Sequence, residues 1–123
     1  MTRRPPVDPG ALLARTYPMP GGQRVRLRLL RSADAPAVGE LMDQVGVESD
    51  ELQLQRLGRF DPRERVAIAA VSPRPRGEAM LGLGTIERAP GARPDFVLVD
   101  PECGPELEGL IASALVARAR RAA

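Results

Sequence analysis

The first clear pattern along the chain is an alternation. Val25, Leu27 and Leu29 interleave with Arg24, Arg26 and Arg28, the period of a strand with one face buried. The period then lengthens. Val38, Leu41, Met42 and Val45 recur at helical spacing and form a single apolar stripe. Ser32 offers this helix an N-cap, Asp34 falls in the first turn where the helix dipole favours a carboxylate, and Gly46 supplies the stop. A second, shorter helix is predicted from Ser49 through Leu52, Leu54 and Leu57 to Gly58.

The unbroken apolar run Val66–Val71 reads as a central strand buried on both faces. A turn of Pro, Arg and Gly separates it from Ala79–Ile86, its antiparallel partner, and a second turn leads to a strand over Asp95–Val99. From Pro105 to about Arg120 the stripe Leu107, Leu110, Ile111, Ala114 and Leu115 predicts a last helix, with Arg118, Arg120 and Arg121 complementing its C-terminal dipole. Residues 1–20 hold Pro5, Pro6, Pro9, Pro18 and Pro20 and are expected to form a flexible, extended tail. Gly21 and Gly22 then open a single domain over residues 21–123. The expected fold class is α/β (α+β): a mostly antiparallel sheet of about four strands flanked by about three helices.

Composition narrows the chemistry. All 18 basic residues of the 123 are Arg, and there is no Lys, His or Asn. Imidazole-based nucleophile systems and imidazole zinc sites are therefore excluded, as are a P-loop lysine and Schiff-base chemistry. A single cysteine, Cys103, permits neither an intrachain disulfide nor a thiolate cluster, so no metal site is expected. The sequence pI of about 9.4 reflects missing buffering groups more than a positive field, because the net charge is only +2. Arg24, Arg26, Arg28 and Arg31 read as a solvated face, and with 2% aromatic residues a nucleic-acid partner is not expected. No apolar region follows the charged start, and Val66–Val71 is far too short to span a bilayer. A cytoplasmic protein of bacterial type, without a membrane partner, is the expectation.

Several segments resemble a known family. GGQRVRLRLLRSADAPAV (Gly21–Val38) resembles the opening of GNAT N-acetyltransferase superfamily domains, in the branch of bacterial protein acetyltransferases fused or related to acyl-CoA synthetase-like proteins. Asp34 matches the Asp that opens the first helix of that family, while Leu29 stands where proline is usual. VESDELQLQRLGRFDPRERVAIAAV (Val47–Val71) is similar to the second helix with its Arg-Phe and the strand that follows. EAMLGLGTIE resembles the third strand, and PDFVLVD the strand that leads to the cofactor loop. The resemblance covers residues 16 to 120 and rests on element order together with several short motifs.

What the resemblance implies is acetyl-CoA, held at its pyrophosphate by backbone N–H groups of a Gln/Arg-x-x-Gly-x-Gly/Ala loop and the following helix N-terminus. Aligned on the last helix, that loop falls on Glu102, Cys103, Gly104, Pro105, Glu106 and Leu107. Glu102 takes the Gln/Arg position, and Pro105 and Leu107 replace the two glycines. Proline has no N–H to donate, and Leu brings a side chain where close backbone approach is needed. Each carboxylate facing a phosphate at about 4 Å costs on the order of 1 to 4 kcal/mol. Read without a ligand, Gly104 as N-cap, Pro105 at the first helical position and Glu106 and Glu108 in the first turn make an ordinary helix start. No cofactor-binding role is therefore expected of these residues.

The resemblance also implies a missing C-terminal half, with the second wall of the cofactor cleft and the usual Tyr general acid. Tyr17, the one Tyr, falls in the predicted tail. Asp95 aligns loosely with a family Glu that serves as general base, and an exposed strand-start carboxylate is its plainer reading; no catalytic residue is assigned beyond it. Gly82-Leu83-Gly84 lies inside a strand and reads as a bulge or a close-packing point. Cys103 is expected to be unreactive beside Glu102 and Glu106. Asp95–Val99 is expected at a sheet edge that a partner chain or a second copy covers. The function expected is that of a catalytically degenerate GNAT-like domain serving as a regulatory or protein-interaction module. The alternative is an acetyl-CoA-dependent N-acetyltransferase completed by a second chain.

Overall fold

The computed structural model describes residues 15–47 and 63–120. Five strands form one sheet in chain order, each antiparallel to the next: β1 (Thr16–Pro18), β2 (Arg24–Leu29), β3 (Arg65–Arg74), β4 (Gly77–Glu87) and β5 (Pro94–Val99). A 3-10 turn (Ser32–Asp34) and α1 (Ala35–Val45) follow β2, and α2 (Gly104–Arg120) follows β5. The α+β class expected from the sequence is what the structure has, with one more strand than predicted. The predicted helix Ser49–Gly58 lies outside the described residues.

The sheet separates two apolar cores, and side-chain alternation decides which residues enter which. Val25 and Leu27 of β2, Val66, Ile68 and Ala70 of β3, and Leu81 and Ile86 of β4 pack with Leu107, Ile111 and Leu115 of α2. On the other face Ala69, Val71, Met80 and Leu83 pack with Val38, Leu41 and Met42 of α1. A strand with a helix on each face has no polar side, which is why Val66–Val71 is an uninterrupted apolar run. A register shift at Ala70/Val71 accommodates one extra residue on β4.

Gly82 and Gly84 mark where α2 sits closest to the sheet. A Cβ at Gly84 would lie 2.8 Å from Leu115 Cδ1, 2.9 Å from Ile111 Cγ2 and 3.1 Å from the Phe96 carbonyl oxygen. A Cβ at Gly82 would lie 2.5 Å from Ile111 Cδ1. The glycines in this strand serve helix–sheet contact rather than a phosphate loop.

Three expectations about boundaries change. Thr16–Pro18, within the stretch read as a flexible tail, is a strand paired with Arg24–Arg26. The Met19 N–H donates to the Gln23 carbonyl at 2.7 Å, and Gly22 has a positive φ of 82°. The Pro-Gly-Gly stretch therefore closes a hairpin, and the prolines are tolerated because β1 is an edge strand. The central hairpin is also longer than predicted. Pro73 continues β3 beyond Val71, its last residue paired with β2, so its missing N–H faces no neighbour on that side. Lastly, Ser32 does not cap α1. The N-cap is Asp34, whose carboxylate makes no hydrogen bond to the amides of α1 and instead accepts the Arg31 N–H at 2.7 Å, while Pro36 occupies the first turn of α1. The C-terminus of α1 ends as expected at Gly46, φ 82°, with the Val47 N–H returned to the Met42 carbonyl at 2.9 Å.

Among the described residues no helix is long and apolar enough to cross a membrane. Gly84→Ala is expected to destabilise the fold by about 1 to 3 kcal/mol through overpacking against α2 and the Phe96 carbonyl. Urea unfolding of the two proteins checks this; equal midpoints would show that α2 does not sit as closely as described.

Candidate functional site

The sequence singled out two places, Asp95 and the turn into α2. The structure keeps them apart: Asp95 near the start of β5 and Asp100 just past its end are five residue steps apart, roughly 16 Å along an extended strand. Asp95 forms an ion pair with Arg65 and accepts a hydrogen bond from Thr85 Oγ1 at 2.9 Å. The carboxylate thus ties β3, β4 and β5 together.

The turn is organised by a residue to which the sequence analysis gave no role. Asp100 donates its N–H to the Leu81 carbonyl at 2.7 Å, pinning the end of β5 to β4. Its Oδ1 accepts the Glu102 N–H at 2.9 Å, and its carbonyl accepts the N–H groups of Cys103 at 2.9 Å and Gly104 at 3.3 Å. Pro105 has no N–H. Gly104 adopts a positive φ of 59°, which glycine alone takes without strain. Leu107 is fully buried, filling the space between α2 and Gly82. The Glu106 carboxylate bends back toward the helix start, with Oε2 4.0 Å from where a Cβ on Gly104 would be. Cys103 is buried near Gln23, and burial, aided by the charges of Asp100 and Glu102, pushes its thiol up. It is held away from the thiolate.

Beside this turn lies a cleft of about 330 Å³. Glu40 and Gln44 of α1 form one wall, Arg74 and Glu78 of the central hairpin another, and Asp100 and Glu102 the third. Its charged lining is four carboxylates, Glu40, Glu78, Asp100 and Glu102, against Arg74, so its field favours cations over anions. Among the described residues no group of three or more acidic or Cys side chains is arranged to hold a metal.

The cleft walls are held by an ion cluster. Arg28 grips Asp34 through both ends of its guanidinium at 2.8 Å and reaches Glu78 at 3.0 Å. Asp34 and Arg28 side chains are each 11% exposed, so this is a largely buried pair. The hydrogen bonds from Arg28, joined by the Arg31 N–H, hold the Asp34 carboxyl below the usual carboxylate range. Arg28 links β2, the start of α1 and the start of β4, whereas its neighbours Arg24 and Arg26 are exposed as expected of a solvated face.

Comparison with solved structures places this arrangement. The chain matches the crystal structure of the GNAT domain of S. lividans PAT with a TM-score of 0.62 and 19% sequence identity, over 88% of this chain and 73% of that one. The fold is GNAT-like. No protein-family model matches the sequence, and no curated protein matches it. The N–H groups of Glu102, Cys103 and Gly104 are already taken by Asp100, and the neighbouring charges are negative.

Asp100 carries a sequence signal after all, since Asp followed by Pro is a turn opener whose side chain captures the amide two residues on. Arg28 had none, because alternation gives the face of a strand residue and not its partner.

A pH test follows from the ion pair. A lowered folded-state pKa means Asp34 stabilises the fold above its unfolded value of about 3.9 and ceases to as pH falls through the folded one. Asp34→Asn is expected to lose about 3 kcal/mol at neutral pH. The difference from the parent chain shrinks below about pH 4, as urea unfolding across pH reads out. A difference that stays constant with pH would contradict the pairing.

Proposed function

We propose that this GNAT-like domain works without an acyl-CoA, as a regulatory or protein-interaction module. One observation carries the reading: Asp100 satisfies the three amides between Glu102 and Gly104, at the place where a GNAT-like domain is expected to offer them to a diphosphate. The acidic cleft beside them supports it, as does Leu107, whose side chain is committed to the core under α2. Electrostatics set the scale. A few carboxylates at several ångströms from a diphosphate cost several kcal/mol together, and forfeited N–H donors add about 1 to 3 kcal/mol each. That is enough to remove the useful part of a micromolar affinity.

The interaction role draws on β5. It is the last strand of the sheet, and among the described residues nothing pairs with its outer edge. Phe96, Val97, Leu98 and Val99 are all half-buried along it. An apolar strand with an open ladder is suited to pairing with a strand from another chain. Asp95, locked by Arg65 and Thr85, takes no catalytic part.

Titration calorimetry with acetyl-CoA, alongside a thiol-release assay with amine acceptors, tests the proposal. No saturable heat and no thiol release are expected. Binding at micromolar concentration would overturn it and favour an N-acetyltransferase.

A further inference from the structure

We infer that two copies of this chain pair through the outer face of α2, antiparallel about a two-fold axis at Ser113. α2 buries Leu107, Ile111, Ala114 and Leu115 against the sheet. Facing away from the sheet, Glu106, Ser113 and Arg120 lie in one line seven residues apart, flanked by Gly109 and Ala117 and by Leu110 and Val116, which also pack in part against the core. Residues seven apart lie on one face of a helix, so these form a continuous line along which a second helix can lie. The surface there is a shallow groove of about 410 Å³ lined by Ala112, Ser113, Val116, Ala117 and Arg120. Small side chains at its centre let a second backbone approach closely.

Charge identifies the occupant. Glu106 and Arg120 are exposed, at opposite ends of the stripe, and no ion pair involves either among the described residues. Turned end for end about Ser113, the stripe is complementary to itself. Glu106 of each copy meets Arg120 of the other, Gly109 meets Ala117, and Leu110 meets Val116. The half-buried Leu110 and Val116 lose their remaining exposure together. A parallel pairing would set Glu106 on Glu106 and Arg120 on Arg120, and would align the helix dipoles unfavourably. The antiparallel arrangement is isologous and closes at two copies. It leaves the outer edge of β5 open, so it stands independently of the interaction role proposed for that strand.

A single helix pair buries less than a standard interface, so the dimer is expected to be reversible, forming at micromolar to submillimolar concentration. Sedimentation equilibrium of the full chain, with Glu106→Arg, Arg120→Glu and the combined variant, tests it. Each single reversal is expected to weaken association about tenfold, and the combination to restore it, because the swapped charges again oppose. Circular dichroism confirms that these surface variants fold. As a second measurement, Ser113→Cys under mild oxidation is expected to give a disulfide-linked dimer, the buried Cys103 not competing. A chain that stays monomeric at about 1 mM overturns the inference. So does a combined variant no tighter than its parents, or a Ser113→Cys chain that does not cross-link.

Discussion

Asp100 is the residue through which the sheet and the last helix are joined. Its own N–H closes the β4–β5 ladder on Leu81, and its carbonyl and carboxylate then collect the next three amides. A helix start normally leaves donors unsatisfied, and that deficit is what makes such a place attractive to anions. Here a side chain and a carbonyl from the preceding strand remove much of the deficit within the chain. The acidic side chains around the turn act in the same direction, since carboxylates near a helix N-terminus stabilise it.

The position of α2 depends on this turn and on two missing side chains. Leu107, Ile111 and Leu115 seat directly over Gly82 and Gly84, so the helix lies closer to the sheet than any side-chain-bearing strand would allow. On the other face α1 is held differently. Its apolar stripe is shorter, and the Arg28–Asp34–Glu78 cluster adds a directional tie between the helix start and two strands. The net stabilisation from such a largely buried ion pair is small, because both charges give up water, but losing one partner leaves the other stranded. The Arg28 Nε, buried with no partner, shows that the cluster is not fully satisfied even when intact.

Much of this architecture was legible in the pattern of apolar positions. The alternation at Val25 and Leu27, the double-sided run Val66–Val71 and the stripes of α1 and α2 each reflect burial, which is what periodicity encodes, whereas Leu29, the third apolar residue of the alternation, is exposed at the end of β2. Asp95–Val99 also emerged as the terminal strand. What escaped was set by partners rather than by burial. Thr16–Pro18 is a strand because a Pro-Gly-Gly turn folds it onto β2, although its prolines argue locally for extended tail. Ser32 is a good cap by type, yet the carboxylate of Asp34 sits where both Arg31 and Arg28 can reach it. At the candidate site, the family resemblance pointed to the turn and to Glu102, Pro105 and Leu107 as departures from the pattern of that family's loop. It did not reveal that Asp100 had already claimed the amides, since that depends on how the chain leaves β5.

The account therefore turns on whether those amides are occupied from within. Nuclear magnetic resonance of the backbone amides of Glu102, Cys103 and Gly104 during addition of acetyl-CoA reads this residue by residue. All three resonances are expected to stay in place throughout the titration. Saturable movement of the three together, with the ligand drawing them from Asp100, would contradict it.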